Sequence, residues 1–400
     1  MNLELLEQFR RGGELISGLD YETGNARLFI ESEGHVYSTK EGTDLSEIQE
    51  SDIEVEACVS LPSERKSMVL SYTPYLMKCL DKAVTFTAPL DDMAQIVGPV
   101  FRISDCQNEN FLTSAKVRKN LRKTNATLVI SDVKDGTISG FTLTVGRDII
   151  EAVTALMVLE KCAKASLLAS VLSTPKPVNY IFARKMKKIY DGKYSNNLIN
   201  GFTHNSETEM SEREAQLRQE IVEHGLKLVS SRLVERSWGN ISARLDEKYM
   251  LVTPSGIEYK DLLPQDIVKV DIETLEYEGG LRPTSEKNLH ALIYRTRNDV
   301  NAIVHTHSDC LSAFAVAWED MPILKKYRKE LGEKIKCSFY GMSTTEKLAV
   351  NTVKAIENNT GAIIANHGMV SVGKSVSDAF RKAELLEDNA KEIIRLGEEK

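Results

Sequence analysis

Four hundred residues, 42% apolar and 27% charged, describe a folded chain of about two domains and exclude a disordered one. The formal net charge of −7 argues against nucleic acid as the main partner. The opening MNLELLEQFRRGGELISG lacks the apolar centre of a signal peptide, and no run reaches the length of a membrane span. Six cysteines without a C-x-x-C fit a reducing compartment, so the expectation is a cytoplasmic chain with neither membrane nor nucleic-acid partners.

In chain order, the first half carries DKAVTFTAPLDD (Asp81 to Asp92), an apolar lead-in followed by alternating threonines. Pro175 and Pro177 break the helix before them, and the stretch SNNLINGFTHNSETEMSE is polar and Asn/Ser-rich. Residues 173–210 therefore read as a linker. Within it ARKMKKIYDGK (Ala183 to Lys193) reads as a solvated helix face. A new amphipathic helix is predicted from Ser211 to Arg232, where SEREAQ offers an N-cap and early acids.

The second half then reads as α/β. Strands are predicted at 241–245 and 249–253, a helix at 286–297, a strand at 302–307 and a helix at 308–317. A helix over 344–358 is opened by Ser343-x-x-Glu346. Strands follow at 362–366 and 369–372. A long helix from Val376 carries its apolar face on Ala379, Ala383, Leu386, Ala390 and Ile393-Ile394.

The two halves resemble each other in collinear order. HVYSTKEG (His35 to Gly42) matches YMLVTPSG (Tyr249 to Gly256), and Gly24-Asn25 matches Gly239-Asn240. Asp52-Ile53 matches Asp266-Ile267. TLTVGRDIIEA (Thr142 to Ala152) matches MVSVGKSVSDA (Met369 to Ala379), and Glu160 falls on Glu387. In the middle, LPSERKSMVLSY (Leu61 to Tyr72) matches PTSEKNLHALIY (Pro283 to Tyr294), which pairs Glu64 with Glu286. AVTFTAP (Ala83 to Pro89) matches IVHTHSD (Ile303 to Asp309), which sets Thr85 and Thr87 against His305 and His307. On this matching the first half is shorter after the strand, lacks the segment around Tyr327, and holds no metal, because threonine is a poor zinc ligand.

The chemistry lies in the second half. Alternate strand residues share a face, so His305 and His307 can reach one ion. His367, at the end of a second apolar strand and before Gly368, supplies a third imidazole. Three neutral imidazoles suit Zn²⁺, or another divalent metal, and leave a coordination position open. Glu286 opens a helix behind Pro283, Thr284 and Ser285. It is either a helix-dipole partner or, if aimed at the metal, an acid/base. The hydroxyls and N–H groups of that turn, with those of TPSG and Gly239-Asn240, suit a phosphate.

The set GNIS, TPSG, PTSE, HTH and NHG, in this order, resembles the class II aldolase/adducin family, which includes zinc-dependent sugar-phosphate aldolases and a sugar-phosphate epimerase. The resemblance implies zinc on His305, His307 and His367, and Glu286 as catalytic acid/base. It also implies a phosphate cradle of Asn240, Ser255, Gly256, Thr284 and Ser285. Tyr327 falls near the place of a catalytic tyrosine that a neighbouring subunit provides, one residue out of register. The implied fold is two tandem α/β/α domains with largely antiparallel central sheets. Residues 1–172 form a degenerate pseudo-repeat and residues 211–400 the catalytic domain, assembled as a homo-oligomer, dimer or tetramer. The implied function is cleavage of a ketose 1-phosphate to dihydroxyacetone phosphate and an aldehyde. A sugar-phosphate dehydratase, an epimerase and a non-catalytic adducin-like interaction module are the alternatives. Glutamate rather than aspartate at position 286, and YGMSTTEKLA where epimerases carry a GTTHAD-like segment, favour the lyase.

Overall fold

A computed structural model describes the whole chain apart from residues 1, 20, 57–59, 62–64, 82–85, 107–109, 135–136, 195–203, 206–209, 237 and 400. Glu64 and Thr85 lie outside the described residues. The chain divides into two compact units, Met1–Leu167 with Pro177–Tyr194, and Leu168–Lys176 with Ser195–Lys400. No helix among the described residues is long and apolar enough to cross a membrane.

The first unit comprises α1 (Leu3–Ser17), β1 (Arg27–Ser32), β2 (His35–Thr39), β3 (Ile53–Glu56), β4 (Ser67–Ser71), α2 (Pro74–Asp81), α3 (Asp91–Ile96), β5 (Arg102–Asp105), α4 (Ala115–Leu121), β6 (Ala126–Lys134), β7 (Thr137–Gly146), α5 (Ile149–Leu172, counted here through Leu167) and α6 (Tyr180–Ile189). Its described strands run in the order β3-β2-β1-β4-β7-β6-β5, antiparallel except for the parallel pair β5–β6. Part of the expected linker is thus α6. Its basic run is solvated on one side only, since Ala183, Met186 and Lys187 are buried and the Lys187 ammonium donates to Ile96 O and Asp191.

The second unit comprises α7 (Glu212–Ser230), β8 (Asn240–Arg244), β9 (Tyr249–Val252), β10 (Val268–Asp271), α8 (Lys287–Thr296), β11 (Ala302–Thr306), α9 (Asp309–Ala317), β12 (Met321–Pro322), α10 (Arg328–Leu331), β13 (Lys334–Ile335), α11 (Glu346–Ile356), β14 (Gly361–Ile364), β15 (Gly368–Gly373) and α12 (Val376–Glu398). Its main sheet, β10-β9-β8-β11-β15-β14, is antiparallel throughout. Ser211 caps α7 by accepting from Glu214 N at 3.2 Å, as the acid-rich start predicts. Strands β10, β12 and β13 and helix α10 were not expected from the sequence, and α11 is capped by Thr345, which accepts from Leu348 N, so the capping pattern starts two residues after Ser343.

Strand β11 is buried along its whole length, as a central strand covered on both faces must be. Ile303 faces a core of Met250, Val268, Val270, Leu289, Ile293, Tyr294, Leu348 and Val370, which brings α8 and α11 onto that face. Ser371, on the other face, donates to Ala379 O of α12 at 2.8 Å.

The two sheets share strand order from β3 to β6 and from β10 to β14, and their registers correspond. Ser67 faces Gly146 as Ala302 faces Gly373. Leu28 donates its N–H to Thr39 Oγ1 as Ile241 does to Thr253 Oγ1. Asp52 and Asp266 each accept from the N–H three residues before them. Glu160 accepts from the N–H groups of Tyr75 and Leu76 that open α2. Glu387 does the same for Cys310 and Leu311 in α9.

These registers correct the first pair and the middle of the internal matching: Arg27, not Asn25, stands where Asn240 stands. Strand β4, not residues 83–89, occupies the place of β11, so Leu70 and Tyr72 stand where His305 and His307 stand, and Gly140 stands where His367 stands. The segment SMVLS is a strand, whereas its assigned match in the second half is the helix α8. Thr87 makes an isolated bridge with Val100, as Pro322 pairs with Lys334. The interval from Tyr72 to Ala126 then equals that from His307 to Gly361, and α3 stands where α10 does. Nothing around Tyr327 is missing from the first unit. Its deficit lies earlier, where residues 57–66 join β3 to β4 and residues 272–301 join β10 to β11. The first connection has a third of the length of the second.

Candidate metal and acid/base site

His305 lies near the end of β11 and His307 just beyond it, while His367 precedes β15. The chain reaches β15 through a turn in which Asn366 adopts a left-handed φ of 56° and His367 N donates to Ile364 O at 3.0 Å. Asn366 anchors the turn by accepting from Trp318 Nε1 at 2.8 Å and donating to Lys176 O at 2.6 Å. Gly368 is required by close approach, because a Cβ there would meet Thr306 O at 2.4 Å. Gly239, with φ at 112°, is required likewise, since a Cβ would meet His305 O at 2.7 Å.

The structure brings all three histidines together. Their ligand atoms lie within 4.8 Å of one another, with His305 and His367 buried and His307 half-buried. His305 donates Nδ1–H to Met369 O at 2.7 Å, which turns its Nε2 lone pair toward the cluster, 2.8 Å from His307 Nε2. Glu286 enters the same space from the N-terminus of α8. Its Oε1 lies 2.8 Å from His367 Nε2 and its Oε2 lies 3.1 Å from His305 Nε2. Burial alone would push the Glu286 carboxyl up, but the His305, His367 and His307 rings outweigh it and hold the group well below the usual carboxylate range. Burial, reinforced by its histidine neighbours and opposed by Glu286, holds the His305 imidazole down at about 3. At neutral pH the set is therefore an ionised carboxylate among imidazoles, with His305 neutral and its other nitrogen fixed by a carbonyl. That donor set fits a divalent ion of the zinc type.

The two turns beside Glu286 are tied together: Thr284 N donates to Thr253 O at 3.0 Å and Ser255 N to Arg282 O at 2.9 Å. Ser255, Gly256 and Ser285 are exposed there, and Thr284 is buried. The Thr284 hydroxyl accepts from Glu286 N at 3.3 Å. Asn240 is also buried, but its side chain is directed at Glu286 Oε2, 2.9 Å from Nδ2. Tyr327 is tied elsewhere. It stands at the start of α10, with the Lys326 ammonium 4.7 Å from its ring centroid, and α10 packs on α12 through the Arg381–Glu330 pair.

Sequence reasoning missed the groups behind Glu286. His290 Nε2 lies 2.5 Å from Asn240 Oδ1, and Ser242 Oγ bridges His290 Nδ1 and the Tyr294 hydroxyl at 2.6 and 2.8 Å. The available signal was the Glu286–His290–Tyr294 spacing of four, which stacks three polar groups on one helix face.

A family model described as Class II Aldolase and Adducin N-terminal domain matches residues 219–394. The 5-deoxy-D-ribulose 1-phosphate aldolase of Bacillus thuringiensis serovar kurstaki is 32% identical over 171 residues, covering 42% of this chain and 80% of that protein. The L-fuculose phosphate aldolase of Methanocaldococcus jannaschii is 39% identical over 165 residues, covering 41% and 88%. The L-ribulose-5-phosphate 4-epimerase UlaF of Salmonella paratyphi C is 30% identical over 189 residues, covering 44% and 82%. With relatives of that identity matched over more than two thirds of their own length, the chain belongs to the class II aldolase and adducin family.

Proposed function

We propose that the second unit is a divalent-metal-dependent aldolase, with zinc the favoured ion, that cleaves a ketose 1-phosphate to dihydroxyacetone phosphate and an aldehyde. The observation that carries the reading is the Glu286 carboxylate aimed among three imidazoles from two strand ends. An ion held by His305, His307 and His367 supplies Lewis-acid stabilisation of the charge left on the carbonyl side when the carbon–carbon bond breaks. Glu286, ionised, accepts a proton and returns it. Ser255, Gly256, Thr284 and Ser285 hold the phosphate and so orient the reacting bond; the Asn240 side chain, expected with them, lies on Glu286 and His290 instead. Tyr327, at the start of α10, would serve the site of a neighbouring copy in a cytoplasmic dimer or tetramer.

The first unit is read as a degenerate copy of the same domain. The shared strand order and registers support this. Leu70, Tyr72 and Gly140 replace the three histidines, and the connection that would carry the acid has a third of the length, so this copy holds neither metal nor chemistry.

The test is a panel of ketose 1-phosphates scored for dihydroxyacetone phosphate, run beside ketose 5-phosphates scored for inversion at C4 and sugar phosphates scored for loss of water. Retro-aldol release is expected. Inversion or water loss alone would replace the aldolase by one of its relatives, and a protein that purifies without stoichiometric metal would favour an interaction module. His305→Ala should lose both metal and activity. Glu286→Gln should keep the metal and lose about 10²- to 10⁴-fold in kcat.

A further inference from the structure

Behind Glu286 runs an unbroken line of buried polar groups. The Tyr294 hydroxyl is 2.8 Å from Ser242 Oγ, which is 2.6 Å from His290 Nδ1. His290 Nε2 is 2.5 Å from Asn240 Oδ1, and Asn240 Nδ2 is 2.9 Å from Glu286 Oε2. Ser242, His290 and Tyr294 are fully buried, and Asn240 and Glu286 nearly so.

The protons on this line have one self-consistent order. An ionised carboxylate only accepts, so Asn240 must present its NH₂ to Glu286. Its Oδ1 then faces His290, whose Nε2 must carry the hydrogen. A neutral imidazole protonated at Nε2 accepts at Nδ1, so Ser242 donates there and accepts in turn from Tyr294. Burial keeps the His290 ring neutral, with its titration near 4 against a weaker upward pull from Glu286. Nothing in the sterics of an amide prefers one of its two flips; here the carboxylate and the imidazole N–H choose the same one. Without the imidazole N–H, Asn240 Oδ1 is left without a donor in a dry interior, a costly arrangement that loosens the hold on the amide facing Glu286.

We propose that His290 is a positioning residue of the active site: through its Nε2–H it locks the Asn240 amide with NH₂ toward Glu286, and so fixes the angle at which that carboxylate meets the substrate. The inference rests on the acid/base role given to Glu286 above.

The experiment uses the full-length, metal-loaded protein. His290→Leu is expected to lower kcat about tenfold or more while KM and metal content change little, because the interaction acts on the proton-transferring group. His290→Gln, which can still donate to Asn240 Oδ1, should recover most of that loss. Introduced into Glu286→Gln, the same His290→Leu change should cost kcat less than about threefold, since coupled residues lose additivity. An equal loss in both backgrounds, or no recovery by glutamine, would overturn the proposal as mere packing. The ¹⁵N spectrum of the histidine-labelled protein reads the line without any assay. A ring protonated at Nε2 and accepting at Nδ1 is expected, and the opposite tautomer would sink the proposal even if the variants fail to fold. A wild-type protein with the expected tautomer that turns over no sugar phosphate would count against the function, not the line.

Discussion

A histidine that must stay uncharged carries a pH signature. His290 titrates near 4 in the fold because burial penalises its cation, against about 6.5 when unfolded. Between those values the unfolded chain binds a proton that the folded chain does not. Stability is therefore intact above about pH 6.5 and falls as pH drops toward 4. At pH 5 the contribution lost relative to pH 7 is about 2 kcal/mol. His290→Gln removes the titrating group, so its urea-unfolding free energy should fall less between pH 7 and pH 5 than that of the wild type, by roughly this amount. Equal acid sensitivity in both proteins would mean that the ring is charged, or solvated, in the fold. Such a role is hard to read from sequence. The string SEKNLH offers Glu286 and His290 one helical turn apart, but a spacing of four is what any helix gives its neighbours. Only the approach of Asn240 and Ser242 from β8 makes His290 part of a line rather than a core imidazole. The three cluster histidines were legible because their position is anomalous: imidazoles at the mouths of apolar strands have no packing reason to be there.

At the scale of elements, the ends of the chain were easier to read than the middle. The match of His35–Gly42 with Tyr249–Gly256 survived because it carries a turn constraint, in Thr39 and Thr253, whose hydroxyls accept from the facing strand. The central match failed for a physical reason. LPSERKSMVLSY and PTSEKNLHALIY share Ser-Glu followed by apolar residues, yet a short apolar run buried on both faces reads alike as strand or helix. Register settled the matter, since Leu70 faces Leu143 as His305 faces Val370. The same register explains Gly368. Strands β11 and β15 approach so closely there that a Cβ would sit 2.4 Å from Thr306 O and 3.4 Å from both the His305 and the His307 ring. A backbone oxygen cannot move aside as a flexible side chain can, so Gly368→Ala must part the strands that carry the site. We expect a loss of about 1–3 kcal/mol in stability, with metal affinity lowered at least about tenfold because ligand geometry is disturbed. Calorimetry and a competitive chelator titration measure the two effects. Unchanged affinity would show that His367 is positioned independently of this contact.

For the whole molecule, the proposed repeat makes a sharper claim than the loss of three ligands. In the first unit the ligand positions are Leu70, Tyr72 and Gly140, and the connection between β3 and β4 has a third of the length of the one that brings Glu286, His290 and Tyr294 in the second. On that reading the metal ligands and the helix behind the acid were lost together, as expected if the acid and its supports serve only the metal. The buried glutamates that open α2 and α9 were kept in both units, Glu160 and Glu387, because helix capping serves the fold whether or not chemistry takes place. The consequence is measurable. Metal analysis of the purified chain should give one ion per chain, not two. Removing it with a chelator should speed amide hydrogen exchange in the segments around 302–307 and 361–373, where binding energy stabilises the closed state. The corresponding segments around 67–72 and 126–146 should exchange at unchanged rates. Two ions per chain, or equal deprotection of both sets of strands, would mean that the first unit holds a cation of its own, by ligands other than those its strand registers offer.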